Sequence, residues 1–170
     1  MAQHGAGYKT DESKKSHIEN CKLLLDSVRD GDHLAYGSTL LIAECIAVKD
    51  SSQQNKRITD EDVKSIFKRL LLSGKPIIPV QPTPKITELA RTLAWDDGLT
   101  NGVGCMDRIH LATAIEMKCD VLITSDIRLI NKGKLILSKY KIKIVSAEGL
   151  AHLIPEKNKQ LTLTDSQNEE

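Results

Sequence analysis

Three acidic residues of the sequence could together bind a metal cation. Glu44 lies inside the apolar run STLLIAECI, and Asp107 and Asp126 lie near the two ends of CMDRIHLATAIEMKCDVLITSD. An acid in so apolar a run is unusual, because burying an unpaired carboxylate is costly. A few carboxylates together with water molecules are the usual ligands of Mg²⁺ or Mn²⁺ near a phosphate. The three acids therefore predict a site for one of these ions.

Each acid also has a simpler structural interpretation. Asp107 stands in the first turn of a predicted helix, where an acidic side chain can cap free backbone N–H groups. Asp126 follows a predicted strand, where Asp often initiates a turn. Glu44 alone indicates little. The metal-site interpretation therefore requires that the fold bring the three acids together.

The order of predicted elements places two of the acids at one edge of a sheet. The run DVLIT, residues 120–124, is continuously apolar after its first residue, which is typical of a strand buried on both faces. Ligands of an open parallel sheet bind outside the carboxyl ends of its strands, and Asp126 follows this end directly, after the hydroxyls of Thr124 and Ser125. Asp107 begins the helix that runs back antiparallel to this strand, so it emerges at the same edge.

Strands alternate with helices along most of the chain, which predicts an α/β fold with a central parallel sheet and helices on both faces. The predicted strands are 33–38, 76–80, 121–124 and 142–145, and the predicted helices are 16–28, 39–50, 59–74, 84–98, 107–117 and 146–154. We expect one domain over residues 16–154. A flexible segment, residues 1–15, precedes it, and a disordered polar tail, residues 155–170, follows it.

Composition narrows the function classes. The 170-residue chain is 40% hydrophobic and 28% charged, as in soluble globular domains. It has no apolar stretch long enough to span a bilayer and no apolar signal-peptide core, which predicts a cytoplasmic protein without a membrane association. The four cysteines are widely spaced without a CxxC pair, so they indicate neither a zinc site nor a disulfide framework.

The distribution of charge is more informative than the formal net charge of +1. From residue 128 to residue 143 there are six cations and no acid: Arg128, Lys132, Lys134, Lys139, Lys141 and Lys143. This run is either a solvated edge or a surface that contacts a nucleic-acid backbone without reading its sequence. With few aromatic residues, base stacking is not expected to be the main binding mode.

Two of these segments, STLLIAECI and MDRIHLATAIEMKCDVLITSD, together with the closing IKIVSAEGL, resemble the PIN domains. These are metal-dependent ribonucleases that include the toxins of bacterial toxin–antitoxin pairs. The resemblance implies a three-layer α/β/α sandwich and a Mg²⁺ or Mn²⁺ site. It further implies that Glu44, Asp107 and Asp126 bind the metal and that Thr124 or Ser125 orients an acid or a water molecule. Arg128, Lys132 and Lys134 would contact the RNA backbone.

One feature of PIN domains has no counterpart in the sequence. They begin with a short apolar strand that ends in a further metal-binding Asp, and no segment upstream of Glu44 fits this pattern. Three explanations stay open: an N-terminally shortened chain, a scaffold that has lost its chemistry, or a substitute acid such as Asp11, Asp26 or Asp32. Loss of an inner strand would also expose unpaired backbone groups and favour self-association.

Three functions are compatible with these residues. The first is a metal-dependent endoribonuclease, possibly the toxin of a toxin–antitoxin pair with an antitoxin as partner. The second is a non-catalytic PIN scaffold that binds RNA or a protein, and the third is a phosphohydrolase of small substrates. A homodimer is also expected, through helix faces such as ITELARTLAW, although the same pattern is typical of an ordinary core.

Overall fold

The computed structural model describes residues 11–45, 65, 68–73, 75–95 and 98–154. Six α-helices alternate with four short strands in this part of the chain. In chain order they are α1 (Asp11–Arg29), β1 (Ala35–Ser38), α2 (Leu40–Cys45), β2 (Ile77–Val80), α3 (Pro84–Trp95), α4 (Cys105–Glu116), β3 (Val121–Ile123), α5 (Ile127–Asn131), α6 (Gly133–Tyr140) and β4 (Lys143–Val145). A π-helical turn (Lys68–Leu72) precedes β2, and a 3₁₀ helix (Ala147–His152) follows β4.

Local sequence accounts for the ends of several elements. Helix α1 is followed by Gly31, whose φ of +87° suits the reversal of the chain toward β1. Helix α3 begins with a proline at its first position, and the Thr83 hydroxyl accepts a hydrogen bond from the backbone N–H of Ile86. Ser146 caps the 3₁₀ helix by accepting from the N–H of Gly149. These caps set the helix starts independently of tertiary packing.

The strands are parallel, as the sequence predicts. Within the described residues they form two separate pairs: β1 lies beside β2, and β3 lies beside β4. Helix α4 contacts both β1 and β3, so one helix bridges the two pairs. The alternation of helices with parallel strands confirms the α/β class and agrees with a PIN-like sandwich.

The core lies mainly between α3, α4 and the segments after β3. Its fully buried side chains include Ile86 and Leu93 of α3, Leu111 of α4, Leu129 of α5 and Ile136 of α6. The apolar face of α3 packs on α4 within the same chain, so it is core rather than an open surface for a second copy. Trp95, at the end of α3, is the exception, with 74% of its surface exposed.

Some boundaries and elements differ from the sequence-based expectations. Helix α1 begins at Asp11, ahead of the predicted start at residue 16, while residues 1–10 and 155–170 lie outside the described part. Most of the predicted helix 59–74 also lies outside it. Helices α5 and α6 occupy the basic stretch where no element is predicted, and their buried residues Leu129 and Ile136 lie two helical turns apart in sequence.

Candidate active site

Asp126 is held at the carboxyl end of β3 by two local hydrogen bonds. Its side chain is the N-cap of α5, where Oδ1 accepts a hydrogen bond from the backbone N–H of Arg128 at 2.8 Å. Its own backbone N–H donates to the Thr124 hydroxyl at 3.1 Å. The neighbouring Ser125 is exposed. The turn-forming role suggested by the sequence is therefore real, and it fixes the direction of the carboxylate.

Asp107 lies in the first turn of α4, and its side chain does not cap that helix. The N-cap is Gly104, in extended backbone, and no side-chain hydrogen bond caps this end. A Cβ at Gly104 would lie 2.9 Å from Oδ2 of Asp107, so the absence of a side chain there leaves room for the carboxylate. The capping interpretation of Asp107 is thus wrong.

The two aspartates meet at this edge of the sheet. Oδ2 of Asp126 and Oδ2 of Asp107 lie 2.7 Å and 3.9 Å from the same guanidinium nitrogen, Nη2 of Arg128. Partial burial is the largest cause of the raised pKa of Asp107, followed by repulsion from Asp126. Two carboxylates this close favour either a shared proton or a bound cation.

Arg128 forms ion pairs with both aspartates. Its Nε lies 3.0 Å from Oδ1 of Asp126 and its Nη2 lies 2.7 Å from Oδ2, a two-pronged ion pair. The Nη2 atom is also 3.9 Å from Oδ2 of Asp107. The hydrogen bonds from Arg128 are the main cause of the lowered pKa of Asp126.

Glu44 reaches the same neighbourhood from α2. Its negative charge contributes to the raised pKa of Asp107, although less than Asp126 does. Its Oε2 lies 2.9 Å from Nε2 of His110, which is one turn beyond Asp107 on α4. Sequence reasoning missed His110. The available signal was its spacing, because residues three apart on a helix share a face.

The acids fit a hard divalent cation in part. Asp107 and Asp126 supply converging carboxylate oxygens, the donors that Mg²⁺ and Mn²⁺ prefer. Among the described residues, no three His, Cys, Asp or Glu side chains are grouped closely enough to hold a metal ion. Both oxygens of Asp126 are bonded to Arg128, and Glu44 is bonded to His110. The two aspartates thus form an acidic pair that shares Arg128, and Glu44 lies beside the pair with His110 as its partner.

The remaining predicted residues are two lysines that follow α5 and the possible substitute acids. Lys132 joins α5 to α6, and Lys134 is exposed on the first turn of α6. The side chain of Asp26, a possible substitute acid, forms an ion pair with Arg29 at 2.9 Å. Asp32 accepts a hydrogen bond from Ser27 at 3.4 Å. The side chain of Asp11 lies outside the described residues. These contacts do not connect either Asp26 or Asp32 to the aspartate pair.

The family model of the PIN domain matches residues 14–135, well over half of the chain. The chain belongs to the PIN-domain family. PIN domains are generally nucleases, typically use divalent metals and commonly bind RNA. The matched range runs from α1 into α6 and includes all three acids as well as Arg128.

No curated protein and no solved structure matches this PIN domain. In the part of the chain that the structure describes, no helix is both long enough and apolar enough to cross a membrane.

Proposed function

We propose that this PIN domain is a metal-dependent endoribonuclease that hydrolyses RNA phosphodiesters at the Asp107–Asp126 pair. The observation that carries the proposal is the convergence of these two carboxylates at the carboxyl end of β3, where both lie within 3.9 Å of Nη2 of Arg128. Mutual repulsion and partial burial make positive charge favourable beside the two carboxylates. Membership of the PIN-domain family suggests the class of reaction. Glu44 is proposed as a third acid of the same site, because its negative charge contributes to the raised pKa of Asp107.

The residues of the chain have distinct tasks in this proposal. Asp107 and Asp126 would hold Mg²⁺ or Mn²⁺, which when bound lowers the pKa of a water molecule and offsets charge on the phosphate. Thr124 keeps Asp126 in place through its hydrogen bond to the backbone. Ser125, exposed beside Asp126, is proposed to orient a water molecule. His110 keeps Glu44 directed toward α4.

RNA would approach along the cationic segment that leaves the site. Arg128, Lys132 and Lys134 follow Asp126 on α5 and the start of α6, so a phosphate at the aspartate pair has cations on one side. Contacts of this kind neutralise phosphates without selecting bases. We therefore expect the affinity for RNA to fall with added salt and to depend little on sequence.

The direct test is cleavage of a labelled single-stranded RNA with Mn²⁺ by the wild type and Asp126→Asn, with EDTA as a control. Asp120→Asn is the matched variant, because Asp120 is an exposed acid just before the same strand. We expect cleavage by the wild type and the Asp120 variant alone. No Mn²⁺-dependent cleavage by a folded wild type contradicts the proposal. A parallel assay with nucleotides separates a ribonuclease from a phosphohydrolase of small substrates.

A second candidate is a non-catalytic scaffold that binds RNA or a protein. It is favoured by the ion pair between Arg128 and Asp126, which engages both carboxylate oxygens, and by the lack of a three-residue metal cluster within the described residues. A scaffold of this kind would bind RNA equally in Mn²⁺ and in EDTA. Asp126→Asn would then leave that binding unchanged.

The proposal extends to the biological setting of a toxin with an antitoxin. Ile127 follows Asp126 directly and is 64% exposed, so a protein that covers the acids would also cover this apolar side chain. Loss of cleavage on addition of such a partner, with recovery in Ile127→Asp, is the expected result.

A homodimer is proposed through Trp95 rather than the buried face of α3, and light scattering of Trp95→Ala tests it.

A further inference from the structure

Arg128 bonds to both carboxylate oxygens of Asp126, a contact that attraction of RNA does not explain. We propose that Arg128 is a resident counter-ion of the aspartate pair, which gives up Asp126 when a divalent cation binds and then contacts an RNA phosphate. This inference rests on the proposed function, because it concerns the loading of the same site.

The first step follows from the geometry of the ion pair. Nε and Nη2 of Arg128 bond to the two different oxygens of Asp126, at 3.0 Å and 2.7 Å, and Nη2 faces Asp107 at 3.9 Å. A hard cation needs some of these same oxygens as ligands. The guanidinium and the cation therefore compete, and in the observed arrangement Arg128 offsets one of the two negative charges of the pair.

The second step is that Arg128 can leave without disturbing Asp126. The Arg128 side chain is 56% exposed, whereas that of Asp126 is 10% exposed. The Asp126 carboxylate also accepts from the backbone N–H of Arg128, and its backbone is held by Thr124. These two bonds do not involve the guanidinium, so they keep the carboxylate directed at the site after the side chain has swung out.

The third step concerns where the released guanidinium goes. It lies on the first turn of α5, beside the aspartate pair where the scissile phosphate would stand. A guanidinium matches the oxygens of a phosphate with two parallel hydrogen bonds, as it now matches those of Asp126. Arg128 thus exchanges the Asp126 carboxylate for an RNA phosphate, which links binding of the divalent cation to binding of RNA.

Calorimetric titration with Mn²⁺ tests the competition, using the wild type, Arg128→Gln and the control Lys22→Gln, at an exposed lysine of α1. Removing the competitor should tighten Mn²⁺ binding by about fivefold or more, a typical coupling between linked sites. Lys22→Gln should bind as the wild type does. A wild type that binds Mn²⁺ while Arg128→Gln binds no more tightly overturns the counter-ion role alone. A folded wild type that neither binds Mn²⁺ nor cleaves RNA overturns the proposed function.

Thermal unfolding separates this role from a merely structural one. In EDTA, Arg128→Gln should unfold at a lower temperature than the wild type, because the aspartate pair has lost its counter-ion. Saturating Mn²⁺ should remove this difference. An equal loss of stability with and without Mn²⁺ would show that Arg128 only packs against α5, which contradicts the proposal.

Binding of a non-cleavable 2′-O-methyl RNA tests the exchange. Mn²⁺ should raise the affinity of the wild type for this RNA, and Arg128→Gln should lose most of that increase. Arg128→Lys, which keeps the charge without the two-pronged geometry, should recover part of it. An undiminished increase in Arg128→Gln would overturn the phosphate contact.

Discussion

Nε2 of His110 lies 2.9 Å from Oε2 of Glu44, and this bond joins α4 to α2 across 66 positions of the sequence. The His110 side chain is 15% exposed and that of Glu44 is 38% exposed. His110 therefore anchors an acid that would otherwise be free to turn toward solvent. The bond also connects Glu44 to the helix that carries Asp107, one turn away.

We expect His110→Ala to weaken Mn²⁺ binding by about tenfold, as the loss of groups that orient metal-site acids commonly does. Without the histidine, Glu44 loses its anchor, and the pKa of Asp107 rises further because His110 lowers it. His152→Ala is the control, since His152 is exposed and lies on the 3₁₀ helix. Calorimetry with both variants measures the effect, and equal affinity in the two would contradict a positioning role.

Asp107→Asn should stabilise the metal-free protein at neutral pH. The pKa of Asp107 is raised above its ordinary value of 3.8, so the folded state disfavours the charged carboxylate. The wild type therefore loses stability as the pH rises through the interval between the ordinary pKa and the raised one. We expect the midpoint of thermal unfolding in EDTA to rise by about 2 °C at pH 7 in the variant. The two proteins should converge below the ordinary pKa.

Asp126→Asn should destabilise the protein at neutral pH, the opposite of the effect expected for Asp107→Asn. Hydrogen bonds from Arg128 lower the pKa of Asp126, so its charged form stabilises the fold above the ordinary pKa of 3.8. That contribution disappears as the pH falls through the lowered value. The variant should therefore unfold about 2 °C below the wild type at pH 7 and match it in strong acid. A stabilised variant at pH 7 would show that repulsion from Asp107 outweighs the ion pair.

The sequence was sufficient for the elements that place Asp107 and Asp126, because each follows a local rule. The apolar run before Asp126 predicts a strand, which is β3, and the antiparallel return of α4 brings Asp107 to its end. The expected burial of this strand on both faces was wrong, because Ile123 is 44% exposed. The pairing of the acids follows from this topology, and it is observed. Helices α5 and α6 were missed because both are short, with five and eight residues, and the cations among their apolar residues suggested a solvated edge.

The sequence alone could not predict which side chains contact the acids. Arg128 follows Asp126 by two positions, which suggested a cation for RNA, but the choice between phosphate and Asp126 is decided by side-chain geometry. The bond between His110 and Glu44 depends on the packing of α4 beside β1, the strand that precedes α2. Long-range polar contacts of this type carry no periodic signal, so hydrophobic patterning cannot reveal them.

Gly104→Ala should impair the site while leaving the fold intact. Gly104 has φ of −62° and ψ of 155°, which alanine adopts without strain, so the backbone tolerates the change. The added Cβ would lie 2.9 Å from Oδ2 of Asp107, closer than a contact allows, so the carboxylate must shift from its present position. We expect weaker Mn²⁺ binding and slower cleavage with an unchanged unfolding midpoint. Cys105→Ala, at the exposed next position, is the control, and equal Mn²⁺ affinity in both variants would show that Asp107 does not bind the metal.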